Sequence, residues 1–159
     1  MLTRNEADRV WERMVEAEVR SFYFADLASR YTTRKQIITG VTFFLASGAA
    51  ATLVGKLPAW LPLVLSIIVA MVTAYSIAIG LDSRIKALTA LHYQWNQLSA
   101  DYERLWNHWQ EDDAATVLEE LLRRAREASE TGTEMPYDSK LVEKWQKMVY
   151  SRFQHPATA

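Results

Sequence analysis

Hydrophobic residues along this chain follow two regimes. From Ile37 to Leu81 they are nearly continuous, and Lys56 is the single charged side chain in forty-five residues. On either side they recur every three or four positions between charged ones. Lys56 divides the continuous stretch into nineteen residues, Ile37 to Gly55, and twenty-five, Leu57 to Leu81, both free of Asp, Glu, Lys, Arg and His. A bilayer core of about 30 Å takes about 20 helical residues to cross. The pattern therefore predicts two membrane spans, at about 37–55 and 57–81. The competing reading, a buried hairpin in a soluble bundle, would have to hide two helices that are apolar on every face within 159 residues.

Between the spans, Gly55, Pro58 and Pro62 suit a tight turn: glycine accepts the left-handed cap conformation, and proline lacks a donor that a helix start would leave unpaired. Trp60 suits the interface and Lys56 can extend its amine to the headgroups. Two crossings return the chain to its starting side. Near the spans, Arg20, Arg30, Arg34, Lys35, Arg84 and Lys86 on the outer flanks stand against Lys56 in the turn, six to one, which places both termini in the cytoplasm.

Outside the spans the periodicity is helical. Thr3 and Glu6 form a capping box, followed by Val10, Trp11, Met14, Val15, Val19 and Phe22 on one face. Phe22, Tyr23, Phe24 and Tyr31 then supply packing or interface anchoring, and Ser29 or Thr32-Thr33 is where the helix would break. Beyond Leu81, Ile85, Leu88, Leu91 or His92, Trp95, Leu98 or Ser99, Tyr102, Leu105 or Trp106, and Trp109 continue at spacings of three and four. The second span is thus expected to run on unbroken to about Gln110, coupling the bundle to the membrane, with Gly80 as a candidate constriction. Asp112 or Asp113 caps a further helix to about Glu130 that buries Val117, Leu118, Leu121, Leu122 and Ala125, with Gly132 as its C-terminal cap residue. A last helix starts at Asp138 or Ser139 and presents Leu141, Val142, Trp145, Met148, Val149 and Phe153.

These faces predict an all-α membrane protein: a two-span transmembrane helical hairpin with a cytoplasmic helical bundle made from both terminal segments, the tryptophans in its core. Residues 1–36 form the N-terminal amphipathic helix, 37–81 the hairpin, and 82–159 the C-terminal helices that pack with the N-terminal one. Small residues Gly40, Ser47, Gly48, Ala51 and Gly55 share a face of the first span, and Ala70, Ala74 and Ala78 a face of the second, where close helix packing is expected. Ser66, Thr73, Ser76 and Gly80 form a weakly polar stripe, which lines a pore if several copies assemble and otherwise packs against a helix.

Composition changes this picture little. Net charge is −1, with the charges segregated outside the apolar stretch and mixed in sign, which excludes the basic stripe of a nucleic-acid surface. Without cysteine there is no disulfide framework and no thiolate chemistry. His92, His108 and His155 lie too far apart to share a helical turn, and no catalytic, phosphate-binding or dinucleotide motif occurs. His108 with Glu111 and Asp112 is better read as helix-end charge than as a metal site, and His92 as a hydrogen-bonded seam histidine. Neither an enzyme nor a cofactor is expected, and the partners are the lipid bilayer and further copies of the chain.

Glu18-Val19-Arg20-Ser21-Phe22-Tyr23-Phe24, the two spans with a minimal turn, and the long helix ending in Tyr102-Glu103-Arg104-Leu105-Trp106 resemble the SLATT superfamily of small bacterial membrane proteins. That resemblance implies an inner-membrane effector of nucleotide-sensing and other conflict systems. Such effectors form oligomeric pores that breach the membrane and halt phage propagation, triggered through a cytoplasmic protein or a nucleotide signal. It carries no catalytic residues over. A membrane-anchored helical scaffold that recruits a soluble partner is the alternative.

Overall fold

The computed structural model describes residues 1–46 and 60–154. Among these the chain is all helical, with no strand. Five helices follow in order: α1 (Arg4–Ala46), α2 (Trp60–Ile79), α3 (Leu81–Asn107), α4 (Ala114–Thr133) and α5 (Ser139–Gln154). They divide into two compact units, one made of Met1–Leu27 with Ala87–Ala159 and the other of Ala28–Lys86.

The first unit is a helical bundle. Its start is fixed by the capping box: the Thr3 amide and hydroxyl both donate to Glu6 Oε2 at 2.7 Å. Two chain-distant bonds hold the terminus, from the Leu2 amide to the Trp109 carbonyl at 3.0 Å and from the Met1 amine to the Asp112 carbonyl at 3.4 Å. On α3 Leu81 is buried at the start, and from Leu88 on the buried positions are Leu88, Leu91, Trp95, Leu98, Tyr102 and Leu105, a strict alternation of three and four. That alternation keeps one stripe turned toward partner helices, here against Val10, Met14, Ala17 and Phe24 of α1 as the core of the same unit. Where the spacing alone allowed two registers, Leu91, Leu98 and Leu105 are the buried members, while His92 and Ser99 are half-buried and Trp106 is exposed. Of the tryptophans, Trp95 is buried and Trp11, Trp109 and Trp145 are half-buried, so leucines supply more of the core than expected.

The later helices correct two expectations. α4 buries Ala114, Leu121 and Ala128, one position per heptad, and leaves Val117 and Leu122 exposed. Its buried stripe is therefore narrower than its apolar face. α4 also runs through Gly132 to Thr133. Gly132 is therefore not the cap but the last residue but one of the helix, and a Cβ built on it would meet Phe24 Cζ at 3.4 Å. α5 is capped by Asp138, whose Oδ1 accepts from the Leu141 amide at 3.2 Å, and it buries Leu141 and Val149 while Met148 is exposed.

The second unit contains the described part of the apolar stretch. α1 passes Ser29 and Thr32-Thr33 without a break. Thr32 Oγ1 donates to the Ala28 carbonyl at 2.9 Å and Thr33 Oγ1 to the Ser29 carbonyl at 3.0 Å, so the hydroxyls bond within the helix instead of opening it. The second expected span does break. Gly80 has φ +62°, its amide bonds back to the Ile77 carbonyl at 3.0 Å, and a new helix starts at Leu81. Only glycine adopts this left-handed conformation without strain, which is why the interruption falls there. The expectation of one unbroken helix to Gln110 gives way to two helices, the second ending at Asn107. Below the break, Lys35 Nζ donates to Asp82 Oδ1, tying α1 to the first turn of α3.

Candidate functional site

The apolar helices place the proposed pore and packing residues as follows. Ser66, Thr73 and Ser76 lie on α2 within a sector of about 80° by helical geometry. Ser66 and Thr73 are exposed, and Ser76 and Gly80 are half-buried. Ala70, Ala74 and Ala78 are exposed beside them, and so is Gly40 on α1, where a Cβ would meet nothing within 4 Å. Ser47, Gly48, Ala51, Lys56 and the expected turn from Gly55 to Pro58 lie outside the described residues, as does His155.

Large apolar side chains are exposed on both apolar helices. Ile37, Val41, Phe43 and Phe44 of α1 and Ile67, Ile68, Met71, Tyr75 and Ile77 of α2 are exposed, reaching 76% for Phe43 and 75% for Ile77. Taken across the one-residue break at Gly80, the stretch Ser66–Asn107 contains one helix long and apolar enough to cross a membrane.

The bundle holds a second constellation, which reading along the chain did not bring out. Arg20 of α1 donates to Glu16 Oε1 at 2.5 Å and to Ser129 Oγ of α4 at 2.8 Å, and its guanidinium carbon lies 4.5 Å from the centre of the Trp95 ring. The three groups hold the guanidinium by charge, hydrogen bond and π-face at once. Around this cluster open two clefts of about 490 Å³ and about 300 Å³, which share Glu16, Arg20, Trp95 and Ser129. The larger has mainly apolar and aromatic walls, including Val19, Phe24 and Met135. The smaller adds Arg13, Arg126 and Tyr102.

Trp95 and Tyr102 are buried, 3% and 1% exposed, yet the Trp95 Nε1 and the Tyr102 hydroxyl have no hydrogen-bond partner. A buried polar group left unsatisfied costs about 1–3 kcal/mol. Burial also pushes the Tyr102 phenol above its ordinary pKa, so at neutral pH it keeps its proton and remains a donor. One signal in the sequence pointed here: two side chains with polar atoms, seven residues apart on the α3 seam.

The histidines do other work. His92 Nδ1 lies 3.1 Å from Ser21 Oγ and 3.0 Å from the Ser21 carbonyl, a structural link between α3 and α1. His108 Nδ1 is 2.9 Å from the Arg104 carbonyl at the end of α3. Among the described residues no three His, Asp or Glu side chains gather as a metal site would require.

No protein-family model matches the chain, and neither does any curated protein or solved structure.

Proposed function

We propose that the chain is an oligomeric membrane channel or pore-forming effector. Its two apolar runs cross the bacterial inner membrane, both termini lie in the cytoplasm, and the bundle is the part that receives the trigger. The observation that carries this reading is the exposure of apolar side chains on α2, which also carries a stripe of Ser66, Thr73 and Ser76. In water such a surface would be strongly unfavourable, whereas lipid accepts it, and a weakly polar stripe on one face suits the lining of a shared path. The six-to-one bias of basic residues supports the orientation. The resemblance to SLATT proteins supports a role in antiphage defence through membrane disruption.

Subunit number in lipid nanodiscs, by native mass or direct imaging, tests the reading. A closed ring of four or more subunits with Ser66, Thr73 and Ser76 facing its axis is the expected result, followed by single-channel conductance. Conductance of Gly80→Leu equal to that of the parent would remove Gly80 as a constriction. A monomer or simple dimer overturns the pore and leaves a membrane-anchored scaffold that recruits a soluble partner.

A further inference from the structure

The second unit carries its charge at one end and almost entirely of one sign. From Ala28 to Lys86 the chain has six basic residues and a single acid, Asp82. Lys56 apart, the basic residues are Arg30, Arg34 and Lys35 on α1 and Arg84 and Lys86 on α3. The bond from Lys35 Nζ to Asp82 joins the two helices where their apolar stretches end, and so holds those ends at about one level. Counted from that bond, Arg30 and Arg34 lie within five residues along α1, and Arg84 and Lys86 within four along α3. At 1.5 Å per residue the five cations occupy a band about 8 Å deep. The headgroup layer of one leaflet, half the difference between a bilayer's full thickness and its hydrocarbon core, is about 5–8 Å deep.

Within the band the protein does not neutralise this charge. Asp82 is taken by Lys35. Arg34, Arg84 and Lys86 are exposed and have no carboxylate partner among the described residues. Arg84 and Lys86 are about 200° apart around α3, so the cations surround the helices and do not converge on one pocket. Such a collar suits several anions spread in a plane, as lipid phosphates are, better than one soluble ligand. Directly beyond the band the surface turns apolar, with Ile37 and Ile77 exposed. A phospholipid of net negative charge matches both parts of that surface, its headgroup the cations and its acyl chains the apolar side chains.

We propose that this collar selects anionic phospholipids for the shell of lipid around the chain in the cytoplasmic leaflet. The exposed arginines and lysine hold headgroup phosphates, while the acyl chains cover the exposed side chains of α1 and α2. The proposal rests on the reading that residues 37–81 cross the membrane.

The experiment is electron spin resonance of the full chain reconstituted in phosphatidylcholine vesicles, with traces of spin-labelled phosphatidylglycerol or phosphatidylcholine of the same acyl chains. Lipid touching a membrane-spanning protein gives a second, immobilised spectral component, whose size measures the relative affinity of each headgroup. Phosphatidylglycerol should be favoured about threefold or more at low salt. About 0.5 M NaCl should bring the ratio toward one, as screening of exposed charge requires. The triple variant Arg34→Gln, Arg84→Gln and Lys86→Gln should lose most of the preference. Removing three exposed cations of the bundle, by Arg4→Gln, Arg104→Gln and Lys140→Gln, should leave it intact, which separates the collar from net charge. An immobilised component of equal size for the two lipids overturns the collar and leaves the membrane reading standing, whereas no immobilised component for either overturns both. Parental preference in the collar variant, or an equal loss in the bundle variant, would also overturn the collar.

Discussion

The Tyr23 hydroxyl donates to the Pro136 carbonyl at 2.9 Å, and the same oxygen accepts from the Asp138 amide at 3.1 Å. One phenol on α1 thus holds both sides of the connection between α4 and α5. Tyr23→Phe keeps the ring and leaves a carbonyl and an amide without that partner. The expected loss is about 1–3 kcal/mol, read as a lower melting temperature of the solubilised chain. An unchanged value would mean that solvent replaces both bonds.

Gly132 meets Phe24 at a distance that admits one more carbon. The 3.4 Å separation between a built Cβ and Phe24 Cζ is an ordinary van der Waals contact, and Gly132 sits inside α4 without a positive φ. Glycine costs a helix interior about 1 kcal/mol relative to alanine. Gly132→Ala should therefore raise the melting temperature by a few degrees, while Gly132→Leu, with three further carbons against Phe24, should lower it. Destabilisation by alanine would show that Phe24 cannot yield.

Gly80 presents the opposite case. Space around it is open, since a Cβ would meet nothing within 4 Å, but φ +62° strains any side chain. Gly80→Ala should cost about 1–2 kcal/mol, and Gly80→Asn less, because asparagine tolerates the left-handed region better. Equal thermal stability of the glycine and alanine forms would show that the break between α2 and α3 straightens without cost.

Glu18 gives the bundle a pH dependence with a definite sign. Burial raises its carboxyl above the ordinary 4.5, partly offset by Arg152 at 2.7 Å and reinforced by Glu103. A carboxyl with a raised folded pKa is protonated more readily in the folded state, so its contribution falls as pH rises from the unfolded value through the folded one. Glu18→Gln should flatten that fall: measured from pH 4 to pH 7, the variant gains on the parent as pH rises. A constant difference across the range would show that the ion pair with Arg152 cancels the effect of burial, and a variant that loses ground as pH rises would show that it outweighs it.

Phe22 and Trp145 stack with ring centres 4.9 Å apart and planes 11° from parallel, joining α1 to α5. A double-mutant cycle of Phe22→Ala and Trp145→Ala should return a coupling of about 0.5–1.5 kcal/mol. Additive losses would mean that the stack contributes only the area it buries.

Much of the local structure was legible in the chain. The capping box at Thr3 and Glu6, the α3 seam and the start of α5 at Ser139 all follow from short-range rules: a hydroxyl within reach of an amide, or a spacing that returns to one face. What the rules missed depended on neighbours far along the sequence. Gly132 looked like a cap because glycine usually ends helices, but Phe24, more than a hundred residues earlier, sets its role. Val117 and Leu122 looked like core, yet the buried positions of α4 are Ala114, Leu121 and Ala128, because which part of an apolar face is covered depends on where the other helices pack. The continuous seam across Gly80 hid a break, since periodicity counts residues and cannot register the sign of φ.

The candidate sites divide in the same way. Ser66, Thr73 and Ser76 form a stripe by spacing alone, because they share one helix. The cluster of Arg20, Glu16, Trp95, Ser129 and Tyr102 draws on three helices, and only their packing brings one guanidinium onto one indole beside two donors with nothing to bond. Sequence determined which segments are helical and which stretch is apolar enough for a membrane, since hydropathy and helical period are local properties. Tertiary structure decided which polar atoms are buried together, because that depends on distances between residues that no spacing along the chain encodes.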